Sequence, residues 1–340
     1  VRWLVCQPGP SFSVADVHAG WCEALRDLGQ HVEEFTLADR LVFYDAAFIR
    51  DDAGEYKKAL TPQAAVEHAL NGLAAGLFKF RPHVLLVVSG FFTDTDLLEQ
   101  ARRTGTRVVL LMTESPYEEE RQLKLAPHAD LVLLNDPTNL AKYETLAPTV
   151  YAPHAYRRTV HCPGPTDEKP SDLVFVGTGY PSRIEFFEAM DLAGLDVALA
   201  GNWMRLDETS PLRGSVVHDI NECFDNLDAV PLYRASRCGI NFYRRESEEN
   251  ATAGWAMGPR EVELAACGLF FLRDPRGEGD RILPMLPTFA GPEDAAEQLR
   301  WWLGHDDQRR DAATKAREAI HDRTFHHHAA RLLRLLGVKE

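Results

Sequence analysis

No Cys-x-x-Cys pair occurs in this 340-residue chain; its six cysteines (Cys6, Cys22, Cys162, Cys223, Cys238 and Cys267) are scattered. That pattern argues against a zinc ribbon and against a small disulfide scaffold, and it makes a reducing cytoplasm the expected location. No apolar run reaches the roughly 18 residues that span a bilayer. The opening Val1-Arg2-Trp3-Leu4-Val5-Cys6 is too short for a signal sequence and reads as a first strand. Positive charge is in deficit: 37 Lys and Arg stand against 51 Asp and Glu, a formal net charge of −14. An acidic chain has no broad grip on anionic membrane or nucleic acid, so duplex nucleic acid is not favoured as a partner. A local basic cleft stays compatible with that balance. Gly-x-Gly-x-x-Gly after the first strand, with an acid about 20 residues later, is also missing, which argues against a nicotinamide-dependent dehydrogenase.

What the chain does contain is a series of short apolar runs, each followed by a turn and an amphipathic stretch. In the first half they fall at residues 3–6, 32–37, 84–88, 108–112, 131–134 and 149–151. Continuous apolar runs suit strands buried on both faces. Between the first two, Val14, Val17, Trp21, Leu25 and Leu28 form a helical stripe that Gly29 stops. Residues 156–170 carry Pro163, Gly164, Pro165 and Pro170 among polar residues and read as a linker. A second series follows at 173–176, 197–200, 238–242, 269–272 and 288–290, then helical sequence to the end. Strand and helix in alternation predict parallel sheets covered on both sides. The expected organisation is α/β: a Rossmann-like domain over 1–155, a linker over 156–170, a second Rossmann-like domain over 171–320, and a C-terminal helix over 321–340.

In open α/β sheets ligands bind beyond the carboxyl ends of the strands. Those positions include Gly9 and Ser11, Gly90, and Glu114 to Tyr117 in the first half. In the second half they include Gly177, Thr178, Gly179 and Asn241. The densest signal is Gly258-Pro259-Arg260-Glu261-Val262-Glu263-Leu264-Ala265-Ala266-Cys267-Gly268. Pro259 suits a first helical turn and Gly268 a helix stop. Arg260 and Glu263, three apart, share a face. A helix N-terminus favours phosphate, and an Arg there adds a bidentate cation.

The second half resembles the nucleotide domain of a glycosyltransferase. Phe175-Val176-Gly177-Thr178-Gly179 with Arg183 is similar to its opening strand and loop, and Ser236 to Phe242 to a later strand. Arg260-Glu261-Val262-Glu263 with Ala266-Cys267-Gly268 resembles the R-x-F-E…A-C-G signature of the CgeB-type, spore-protein-like glycosyltransferases, with Val262 in place of the usual aromatic. Asp322-Arg323-Thr324-Phe325-His326-His327-His328 resembles that group's terminal H-T-Y-x-x-R segment, with His328 near the place of its Arg. The match covers roughly residues 171–335. The resemblance implies a GT-B fold, two Rossmann-like domains facing across a cleft, with a nucleotide-sugar donor on the second and the acceptor on the first. It implies no permanently bound cofactor and no metal, and a last helix that packs back on the first domain.

On this reading Arg183, Arg260 and the backbone at Gly177 and Thr178 hold the diphosphate. Glu263 orients the ribose, Asn241 touches sugar or phosphate, and Trp255 stacks on the base. Each has a plainer alternative: a solvent-facing Glu263, an Arg260 merely paired with it on the surface, a glycine turn, a loop-packing Trp255. Glu114 is the first candidate for the base that activates the acceptor hydroxyl. Asp16 and His18 stand behind it. Ser13-Val14-Ala15-Asp16 also reads as a capping box, and His18 as a core histidine. Gly9, Ser11, Gly90 and Tyr117 are expected at the acceptor side. Three adjacent histidines at 326–328 point in different directions on a helix and do not converge on one ion. Two other functions remain open: a sugar-nucleotide epimerase or hydrolase, and a non-catalytic nucleotide-sugar-binding or assembly protein.

Overall fold

The computed structural model describes residues 1–10, 12–114, 119–222, 224–246 and 254–338. The chain forms two compact units, Val1–Ala152 with Phe325–Glu340, and Pro153–Thr324. The first carries strands β1 (Arg2–Cys6) and β2 (His31–Phe35), a separate antiparallel hairpin of β3 (Phe48–Arg50) and β4 (Tyr56–Lys58), then β5 (Val84–Val88), β6 (Arg107–Met112), β7 (Leu131–Leu134) and β8 (Thr149–Tyr151). Outside the hairpin all pairings are parallel, in the order β2-β1-β5-β6-β7-β8. β5 and β7 are buried from end to end, as strands covered on both faces must be. β2 departs from the expected buried strand: at the sheet edge it turns Glu33 and Glu34 outward and buries Phe35 alone.

The helix Phe12–Asp27 buries Trp21 and Leu25, and Gly29 follows it with φ +71°. It is already under way at Phe12, so Ser13 lies inside its first turn and the capping-box reading of Ser13 to Asp16 is corrected. The sequence reading missed the helix Pro62–Phe80, which presents Ala65, Ala69, Leu73 and Leu77 to the core. It starts where the Thr61 side chain accepts the Ala64 N–H at 3.2 Å. The last helix, Phe325–Leu335, belongs to this first unit: Phe325 lies over Gly20, where a Cβ would come within 2.2 Å of its ring. Arg331 Nη1 fastens it by donating to the Tyr151 carbonyl at 2.9 Å.

The second unit holds β9 (Ser171–Val176), β10 (Val197–Ala200), β11 (Ser236–Asn241) and β12 (Phe271–Arg273), all parallel in the order β10-β9-β11-β12. Helices Pro181–Ala189, Asn226–Ala235 and Pro259–Ala266 alternate with these strands. The expected strand at 288–290 is reduced to one bridge, Thr288 to Arg273. In both sheets the order reverses direction, between β1 and β5 and between β9 and β11, and such switch points leave a crevice at the strand ends. Among the described residues no helix is long and apolar enough to cross a membrane, and Cys6, Cys22, Cys162, Cys238 and Cys267 are free thiols. Cys223, Ser11 and Tyr117 lie outside the described residues.

Candidate functional site

The switch point of the second unit is built by Arg183. It projects from the first turn of Pro181–Ala189, donates from Nε to the Phe242 carbonyl at 3.1 Å and from Nη1 to the Thr178 carbonyl at 2.9 Å. One side chain thus ties the loop after β9 to the end of β11. Its guanidinium also lies over the Phe175 and Tyr180 rings, at 5.2 and 5.3 Å from their centroids. Burial pulls its pKa down to about 10, and the charges of Arg260 and Arg244 push the same way. Among the described residues Arg183 has no carboxylate in an ion pair. Glu246 partly compensates from nearby; its Oε1 accepts the Ser182 N–H at 2.8 Å in the same helix turn. The charges of Arg260 and Arg244 both oppose that of the buried Arg183, and an anion beside it would offset them.

The glycines of the loop answer to packing. Gly201, after β10, sits at φ +118°, and a Cβ there would come within 2.3 Å of the Gly177 carbonyl oxygen. A Cβ on Gly179 would meet the buried Trp203 ring at 2.5 Å. The backbone of Gly177 to Gly179 is therefore pressed against its neighbours, and close packing is enough to account for the residue type.

The helix Pro259–Ala266 carries a buried polar network on one face. Arg260 Nη1 lies 3.1 Å from Asn226 Oδ1, Tyr233 OH and Glu263 Oε2, and Asn226 Nδ2 donates to Glu263 Oε1 at 3.1 Å. The Arg260 and Glu263 side chains are 19% and 4% exposed, so their pairing is internal; the surface alternative does not hold. Burial opposes the charge on Arg260, but Tyr233 and Glu263 more than offset it and hold the guanidinium protonated above its ordinary value. Glu261 points elsewhere. Its Oε2 accepts from the Tyr243 hydroxyl and, at 2.9 Å, from the Gly258 N–H, which also reaches Tyr243 OH at 2.9 Å. Full burial raises this carboxyl to about 7. Around it, Arg276 stacks 4.1 Å from the Tyr243 centroid. Glu278 accepts the Met257 N–H at 2.8 Å and pairs with Arg323 at 2.6 Å, both side chains buried.

Asn241 closes β11 in the interior, and its Nδ2 has no hydrogen-bond partner among the described residues. Trp255 packs edge-on to Gly277, where a Cβ would come within 2.4 Å of it, and Arg281 covers its ring at 5.6 Å. The site residues Gly177, Thr178, Arg183 and Asn241 thus gather at the β9/β11 switch point, while Arg260 and Glu263 join a network with two residues the sequence reading missed. Those are Asn226 and Tyr233, seven apart and so on one face of Asn226–Ala235. A polar pair at helical spacing on a helix with Ala229, Val230 and Leu232 buried was the available signal.

In the first unit the ends of neighbouring strands β1, β5 and β6 bring Gly9, Gly90 and Glu114 to one edge of the sheet. Gly9 (φ +102°) lies under the Phe92 ring and Gly90 (φ +70°) against Leu125. Ser89, next to it, also adopts φ +60° and bonds to the Thr113 hydroxyl, directly before the half-buried Glu114. Asp16 and His18 lie instead on Phe12–Asp27. Asp16 is 9% exposed and His18 4%. His18 Nε2 is 3.3 Å from the Val5 carbonyl, and burial lowers its pKa. With Cys22 and Glu34 it gathers three potential metal ligands within 4.8 Å. Arg26 lies 2.7 Å from Glu34, though, and a cation there would face a guanidinium.

Residues 183–337 match the sequence profile of a family described as glycosyl transferase-like. No curated protein matches the chain in sequence. Solved structures do match in fold. A sucrose-phosphate synthase from Thermosynechococcus elongatus superposes with a TM-score of 0.67 at 14% identity, over 99% of each chain. An alpha-glucosyltransferase in complex with UDP and a 13-mer DNA containing an HMU base gives 0.63 at 13% identity, over 98% of each. A putative UDP-N-acetylglucosamine 2-epimerase from Listeria monocytogenes gives 0.61 at 13%, over 99% of this chain and 95% of that one. The chain thus has the GT-B architecture of two Rossmann-like domains, and its second half carries a glycosyl transferase-like domain.

Proposed function

We propose that the protein transfers a sugar from a nucleoside-diphosphate sugar to an acceptor hydroxyl, with the donor held by the second unit. One observation carries the reading: Arg183 is held at the end of a β-sheet switch point by two backbone carbonyls, with no carboxylate in an ion pair among the described residues and with the charges of Arg260 and Arg244 opposing its own, in the part of the chain that matches the glycosyl transferase-like family. A diphosphate relieves that repulsion. In the transfer, the glycosidic C–O bond to the diphosphate breaks as the acceptor oxygen bonds to the sugar carbon. The guanidiniums and the start of Pro259–Ala266 stabilise the negative charge that collects on the leaving diphosphate, and this role needs no metal. Glu263 orients the ribose by accepting its hydroxyl protons, and Asn241 offers its amide to sugar or phosphate. Trp255 lies under the base.

Glu114 is the base that takes the acceptor proton, with Asp16 and His18 as the alternatives; Gly9 and Gly90 lie on the acceptor side with it. Among the three, Glu114 sits beyond a strand end, the place where α/β sheets receive ligands. The motif at Arg260 to Gly268 supports placement with the CgeB-type enzymes. Calorimetry with a panel of nucleoside diphosphates tests the donor half: Glu263→Ala is expected to weaken binding at least tenfold, and unchanged affinity would remove Glu263 from the site. A second reading, epimerisation or hydrolysis of the nucleotide sugar, has its support in the fold match to a putative epimerase. Incubating the donor without acceptor separates them: an epimerase or hydrolase turns over at full rate under those conditions, whereas a transferase gives at most slow transfer to water.

A further inference from the structure

His161 lies in the residues before β9 and is 1% exposed. Its Nδ1 accepts the backbone N–H of Arg157 at 3.2 Å, four residues back in the chain. A nitrogen that accepts a hydrogen bond carries no proton, so in the neutral ring the proton is on Nε2. That Nε2 is buried and has no hydrogen-bond partner among the described residues. A ring nitrogen of His161 lies within 4.8 Å of a Glu263 carboxylate oxygen, close enough for one small polar group to contact both residues. Leaving a buried donor unpaired is destabilising, and an apolar residue at this place would avoid that cost. Glu263 already accepts from Arg260 on one oxygen and from Asn226 on the other.

We propose that His161 is a donor-binding residue that reads the ribose. The inference rests on the assignment of Glu263 to the ribose hydroxyls. A ribose hydroxyl has one proton to give and lone pairs to fill. Glu263, an acceptor, takes the proton, and His161 Nε2–H donates to the same oxygen. The two side chains are complementary: a carboxylate alone satisfies half of a hydroxyl, and the adjacent N–H satisfies the rest. A sugar lacking that hydroxyl leaves both His161 and Glu263 without their ligand partner. The pair therefore selects ribonucleotides over deoxyribonucleotides.

The test is calorimetry of the full chain with UDP, GDP and ADP and, for the tightest of them, its 2′-deoxy and 3′-deoxy forms. His161→Asn keeps an acceptor near the Arg157 N–H but is too short to reach the hydroxyl; His161→Gln extends its amide to the position of Nε2. The wild type is expected to favour the ribonucleotide over one deoxy form by about tenfold or more, the worth of one buried hydrogen bond. His161→Asn is expected to lose about that factor with the ribonucleotide and nothing with that deoxy form, and His161→Gln to recover part of it. Equal loss with every nucleotide, or none, would overturn the role of His161 while the donor site stands. No binding of any nucleoside diphosphate by the wild type would overturn the donor site, and this inference with it. Thermal denaturation of each variant separates a folding defect, which would weaken all ligands alike, from the selective loss.

Discussion

The two units end their sheets in different ways. At the strand ends of the second, charge is buried and tied down: Arg260 with Glu263, Glu278 with Arg323, Arg183 on two carbonyls. At the strand ends of the first, the corresponding turns are made of small residues, with Gly9, Ser89 and Gly90 all at positive φ and a hydroxyl pair between Ser89 and Thr113. A preformed ionic network holds a ligand of fixed charge and shape, which suits a nucleoside diphosphate. Turns of uncharged small residues set no such pattern, and they suit a face whose ligand is defined by the residues around it.

The largest expected effect comes from breaking the network. Arg260→Ala leaves Glu263 buried with Asn226 but no cation, and removing one partner of a buried ion pair costs about 3–5 kcal/mol. We expect a fall in melting temperature together with loss of nucleotide binding, measured by denaturation and calorimetry on the same samples. Nothing of the kind is expected from Glu114→Gln, at a half-buried position at the end of β6. There the stability and donor affinity should hold while kcat falls by about 10²–10⁴, the usual contribution of a general base. If kcat survives in Glu114→Gln, the same assay on Asp16→Asn and His18→Gln decides between the remaining candidates.

How much of this contrast was legible in the sequence follows from what is local. Pro259, Arg260, Glu263 and Gly268 lie within one helix and its stop, so spacing alone put Arg260 and Glu263 on a shared face. β5, β6 and β9 could be read because parallel strands covered on both faces are continuous apolar runs. Asn226 and Tyr233 could not be joined to Arg260, since more than 25 residues and a strand stand between them, and only the β9-β11 pairing brings their helices together. The edge strand β2 was read as buried because its flanking Val32 and Phe35 are apolar, whereas burial there depends on having a neighbour on one side only. Glu261, inside the motif, carries no assigned role in the sequence because nothing there says which way a helix N-terminus faces.

Glu261 sharpens the comparison through pH. Its carboxyl is raised to about 7 by burial, against an ordinary value of 4.5. A native group that holds its proton more tightly than the unfolded chain adds stability below the unfolded pKa, and that stability is lost as pH rises through the native one. The second unit should therefore lose stability between about pH 4.5 and 7, by up to roughly 3 kcal/mol from this group alone. Denaturation followed across that range in the wild type and in Glu261→Gln checks it: the variant should show the flatter profile. An identical slope in both would assign the pH dependence elsewhere.

The smallest expected effects separate the glycines. Gly179 has an ordinary backbone, and its constraint is the buried Trp203 ring, a flat rigid body 2.5 Å from where a Cβ would be. Gly179→Ala must displace that ring or the loop, at about 1–3 kcal/mol, and it shifts Thr178, whose carbonyl holds Arg183. Nucleotide affinity should fall along with stability. Gly90 has the left-handed backbone, and the atom in its way is a terminal methyl of Leu125, which can turn aside. Gly90→Ala should thus cost only the backbone term, on the order of 1 kcal/mol, with nucleotide affinity untouched and any catalytic effect confined to kcat or to the acceptor KM. If Gly90→Ala weakened nucleotide binding as Gly179→Ala does, the assignment of the donor to the second unit alone would be wrong.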